Sequence, residues 1–93
     1  MAITVGYAAP NEATLATTLT RVTIGAGVRT IWAVGSAEWY LVYDDTLDDA
    51  GAVPTTRMRV PANTVFPVEV TGKRVLVAAV SGTVTWNATG SAV

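Results

Sequence analysis

Apolar residues along this chain come in short runs, cut every few positions by glycine or proline, and several runs alternate with polar residues at a period of two. Strict alternation is the mark of a half-buried strand. The pattern predicts strands at residues 21–24, 28–34, 37–43, 56–60, 64–70, 73–80 and 83–88. Turn signals separate them: Gly25-Ala26-Gly27, Gly35-Ser36, Pro61-Ala62-Asn63, Thr71-Gly72 and Ser81-Gly82. The three two-residue turns among these suggest tight hairpins, and Gly35-Ser36 suits a type II′ turn with glycine at the position needing a positive φ. A two-residue turn at Gly35-Ser36 sets Trp32 opposite Trp39. A three-residue loop would set Trp32 opposite Tyr40 instead. Across Thr71-Gly72, Glu69 faces Arg74. Across Ser81-Gly82, Val77 faces Trp86.

The segment Met1 to Ala13 carries no clear period. Pro10-Asn11 reads as a turn, and Asn11 is placed to cap a short helix containing Leu15 and Leu19. The threonines at 14, 17, 18 and 20 disfavour a helix, so residues 1–13 read better as an extended arm. The remainder, residues 14–93, is expected to form one domain. Residues 75–80 are apolar without alternation, as in a strand buried on both sides. The second side must then meet the chain's own loops or another subunit.

Composition agrees with this picture. Threonine and valine together make up 30 of the 93 residues; both are branched at Cβ and suit a pleated surface. Since one sheet alone would leave an apolar face wet, two layers are expected. The fold class is therefore all-β: an antiparallel β-sandwich or flattened barrel of about seven short strands with an extended N-terminal arm.

Charge and chemistry narrow the function. The formal net charge is −1 and only 14% of residues are charged, which argues against nucleic acid and against a polybasic membrane clamp. No run approaches the roughly 20 apolar residues of a spanning helix, and no signal peptide is apparent. There is no cysteine and no histidine, so thiolate or imidazole catalysis and the commonest metal ligands are missing. Ser36, Ser81 and Ser91 have no imidazole partner. Glu38 and Glu69 are the strand carboxylates, each with an arginine expected nearby. The reading is of no enzyme and no cofactor. Asp44, Asp45, Asp48 and Asp49 form the sharpest polar cluster, but they lack the calcium-loop pattern and read as a solvated loop. Asn87-Ala88-Thr89 matches a glycosylation acceptor.

Trp32, Trp39, Tyr40, Tyr43 and Trp86 are read chiefly as core or interface anchors, with a sugar platform as the alternative. Arg57 and Arg59 alternate on one strand face, as arginines do at polar interfaces or on a charge-protected edge. The candidate interface set is Tyr7, Pro10, Trp39, Tyr40, Arg57, Arg59, Leu76 and Val80.

The run Val22-Thr23-Ile24-Gly25-Ala26-Gly27, the strand with Ile31 and Val34, and Trp39-Tyr40-Leu41-Val42-Tyr43 together resemble small β-sandwich virion proteins of tailed bacteriophages. Arg59-Val60-Pro61-Ala62-Asn63-Thr64 and Val80-Ser81-Gly82-Thr83-Val84 share that style, so the resemblance spans roughly residues 20–88. It implies a head decoration (cement) protein on the capsid surface, or less often a tail or fibre component. The implied partners are the major capsid protein and further copies of the chain, commonly as a homotrimer. No site residue carries over, because the family has no fixed motif. A glycan-binding adhesion module is the alternative.

Overall fold

The computed structural model describes residues 2–72 and 74–93, the side chain of Ala2 excepted. Met1, expected in the arm, and Lys73, expected to open a strand, lie outside the described residues. Among the described residues there are nine strands and no helix: β1 (Ala2–Val5), β2 (Pro10–Leu15), β3 (Thr20–Ile24), β4 (Thr30–Gly35), β5 (Trp39–Tyr43), β6 (Met58–Val60), β7 (Phe66–Glu69), β8 (Val75–Ala79) and β9 (Val84–Ser91). They form two packed sheets, A in the order β1-β3-β8-β5-β6 and B in the order β2-β9-β4-β7. The pairing is antiparallel except between β1 and β3. The all-β sandwich is as expected, and each of the seven predicted strands has a counterpart.

The connections differ from expectation. The chain changes sheet at every link except β5 to β6. None of the three predicted hairpins is present, because β4 and β5, β7 and β8, and β8 and β9 each lie in opposite sheets. Trp32 therefore faces Pro67 and Thr89, while Trp39 faces Val60 and Ala79. Glu69 pairs with Thr30 rather than Arg74, and Trp86 with Ala13 and Gly35 rather than Val77.

Gly35 explains the first of these corners. Its φ is not positive, so it does not serve as the first residue of a type II′ turn. A Cβ on Gly35 would instead lie 2.6 Å from Cδ1 of Trp39 and 2.9 Å from the Ala37 carbonyl oxygen. Glycine is needed there to let the Trp39 ring fold under the corner. Gly72 and Gly82 do have positive φ, 67° and 60°, and that conformation serves a crossing between sheets as well as it serves a hairpin.

The core follows the alternation of each strand. Sheet A contributes Ile3, Val5, Val22, Trp39, Leu41, Val60, Val75, Val77 and Ala79. Sheet B contributes Leu15, Ile31, Ala33, Val68, Val84, Trp86 and Ala88. At its centre the Trp39 ring meets Trp86 edge-on at 5.7 Å and Phe66 edge-on at 6.4 Å, a favoured aromatic geometry.

The leading segment is part of this body, which corrects the reading of residues 1–13 as an arm. β1 lies parallel to β3, and β2 pairs with β9 from Pro10↔Thr89 to Leu15↔Val84. Val5 is fully buried and Ile3 nearly so. Between the two strands the chain ties the sheets together: Gly25 N–H donates to the Val5 carbonyl at 2.9 Å, and Ala8 N–H donates to the Gly90 carbonyl at 2.8 Å. A Cβ on Gly90 would collide with the Gly6 carbonyl oxygen. Apolar Ile3 and Val5 gain more from the core than from solvent, and glycine lets the backbones approach.

Candidate functional site

Strand β8 decides what surface is available. Its inward residues Val75, Val77 and Ala79 join the main core, while Leu76 and Ala78 point outward and form a second cluster with Leu19 and Val42. Leu47 and Val53 cover that cluster. Both come from the loop 44–57 between β5 and β6. The strand is buried on both sides as its sequence requires, and the chain's own loop supplies the second side.

The acidic residues hold this loop down. Asp44 accepts hydrogen bonds from the Thr46 amide at 2.7 Å and its hydroxyl at 2.6 Å. These bonds keep the Asp44 carboxyl below its usual range. Asp48 pairs with Arg74 at 3.0 Å, and Asp49 accepts the Arg21 backbone N–H at 2.9 Å. The Ala50 amide donates to the Leu19 carbonyl at 2.7 Å, and Leu19 N–H donates to the Gly51 carbonyl at 2.8 Å. Among the described residues no three acidic groups converge where a metal ion could be held.

The eight candidate interface residues separate into three groups. Trp39 and Leu76 are fully buried and Val80 is half-buried, so the first two are corrected from interface to core. Their large apolar side chains are packed inside the subunit. This also removes the β8 face as the contact for a trimer. Tyr7 and Pro10 are exposed at the strap between β1 and β2. Tyr40, Arg57 and Arg59 do come together, on the outer side of the β5–β6 edge.

That patch has defined geometry. Tyr40 lies opposite Arg59 in the β5–β6 ladder. The Arg57 guanidinium sits 4.3 Å from the centre of the Tyr40 ring, a cation–π distance. Arg59 forks onto Glu38 with bonds of 2.9 and 2.8 Å. The fork holds the Glu38 carboxyl below its usual range and raises Arg59 further. Both side chains are about half exposed, 55% and 48%, so the pair orders the patch more than it stabilises the fold. Met58, between the arginines in sequence, is exposed but lies opposite Leu41, on the other side of the strand from the two arginines. Met58 was not singled out from sequence. Glu38 was expected to have an arginine nearby, and it does; which arginine was hidden, because β5 and β6 are joined by a long loop without a hairpin signal.

The other outlying residue is Trp32. Its alternation within β4 places it away from Ile31 and Ala33, which are in the core, and it is 46% exposed while Trp39 and Trp86 are 0% and 1%. Family models, characterised proteins and solved structures were all compared with the chain, and none matches it.

Proposed function

We propose that this chain is a non-enzymatic structural subunit of a tailed phage that attaches to the assembled head, docking through Tyr40, Arg57 and Arg59. The convergence of Tyr40, Arg57 and Arg59 on one exposed edge carries the reading. Tyrosine and arginine are enriched at protein interfaces, and a planar arginine stacked on a ring is held ready for a partner. Strand β6 is only three residues long, with Arg57 just before it and Arg59 at its middle. Such an edge resists unselective strand addition and leaves recognition to side chains. Repetition of weak contacts over a lattice of equivalent positions supplies avidity. Association of copies into a trimer, if the particle uses one, draws on the same patch or on the Tyr7–Pro10 strap.

Co-sedimentation with undecorated phage shells tests the proposal. The parent chain is expected to pellet with shells, and Tyr40→Ala combined with Arg57→Ala to remain in the supernatant while still folded. A double variant that pellets as the parent does removes this patch from the mechanism. A parent chain that never pellets removes the head as partner.

A further inference from the structure

We infer that the outer face of sheet B, on the side of the sandwich away from the proposed attachment patch, binds a neutral saccharide around Trp32. β4 is paired on both sides, by β9 and by β7, so the Trp32 backbone is held rigidly. In register across the sheet, Trp32 lies between Thr89 and Pro67, with Pro10 beyond Thr89. The row carries one large ring among smaller side chains.

Beside the row is an open hollow of about 590 Å³, lined by Arg29, Thr30, Pro67, Glu69 and Thr71 among others. Pro67 belongs to both features, and Thr30 is the next outward residue from Trp32 along β4. Thr30 and Glu69 are direct cross-strand partners. The polar groups of the hollow suit vicinal hydroxyls, which both donate and accept. The Glu69 carboxylate accepts, the Arg29 guanidinium donates, and threonine hydroxyls do either. The apolar face of a pyranose matches the indole face, as in other sites that combine one apolar wall with a few directed polar groups. The described lining carries one cation and one anion, and Glu12 lies on the same outer face. This balance offers nothing extra to a phosphate or an acidic sugar. A rigid strand platform with short side chains also loses little entropy on binding.

Printed neutral and acidic glycans, probed with the whole chain, test the inference. The best-retained neutral glycan is then titrated by tryptophan fluorescence. Retention of a neutral glycan is expected. Trp32→Ala should weaken it by roughly tenfold or more with an unchanged melting temperature, and Glu69→Gln by a few-fold. The Tyr40→Ala, Arg57→Ala protein should bind the glycan as the parent does, which separates this face from the attachment reading. Retention of acidic glycans alone, no retention at all, or unweakened binding by Trp32→Ala would each overturn the inference. So would a Trp32→Ala protein that loses shells, because the face would then be a protein contact.

Discussion

The outer face of sheet A is roofed by the chain itself, whereas the outer face of sheet B is left to solvent. On sheet A, Leu19, Val42, Leu76 and Ala78 are covered by Leu47 and Val53, and the covering loop is fastened through Asp48–Arg74 and the Asp49 bond to Arg21. On sheet B the outward positions are mixed, with threonine the commonest and Pro10, Pro67 and Val34 among them, and among the described residues Trp32 is left 46% exposed. An apolar outward strand is thus no sign of a partner until the chain's longest loop has been placed. The informative residue is the large apolar side chain that the molecule had the means to cover and left wet.

This contrast can be broken in several ways. At the roof the largest effect is expected from Leu76→Ala, which leaves a cavity under it and should cost about 2–5 kcal/mol in denaturant unfolding. A loss below about 1 kcal/mol would mean that the roof is not packed. Leu47→Ser combined with Val53→Ser strips the roof and keeps the strands. It should cost about 1–2 kcal/mol and raise self-association in sedimentation velocity, because Leu76 and Val42 become wet. Unchanged sedimentation would show that the loop covers little.

Acid should loosen the fastenings next. Glu38 and Asp44 have carboxyls held below their usual range by Arg59 and by Thr46. Folding therefore favours their charged forms, fully so above the ordinary carboxylate pKa of about 4. That stabilisation is lost as pH falls through the lower folded values. Both groups are exposed, so the effect on the melting temperature between pH 6 and pH 3 should be small, and Glu38→Gln should reduce the slope. A steeper slope in the variant would contradict the assignment. Smallest of all, Trp32→Ala should change stability by no more than about 0.5 kcal/mol, against about 3–5 kcal/mol for Trp86→Ala. Equal losses would mean that the two tryptophans are not differently placed.

Part of the candidate site was legible beforehand. The alternation of Arg57 and Arg59 marked an exposed strand face, and Tyr40 was named with them. Leu76 and Trp39 were misplaced for a common reason. Hydrophobic size signals burial but does not distinguish burial inside a subunit from burial between subunits. Glu38 was expected to meet an arginine, but which one was not legible because Arg59 sits across residues 44–57. Trp32 was named among the aromatics, but only the change of sheet at Gly35 separated its face from that of Trp39.

The amino-acid pattern by itself determined that the chain is all-β, roughly where its strands lie, and that β8 is buried on both sides. Those properties depend on side-chain branching and a two-residue period, both local. The tertiary structure alone decided which strands meet. A glycine turn after an alternating run serves a hairpin or a crossing between sheets equally well. The choice falls to whichever arrangement buries Trp39 against Trp86 and closes β2 onto β9, far along the chain. That free energy comes from contacts between residues such as Pro10 and Thr89, and no local pattern encodes it.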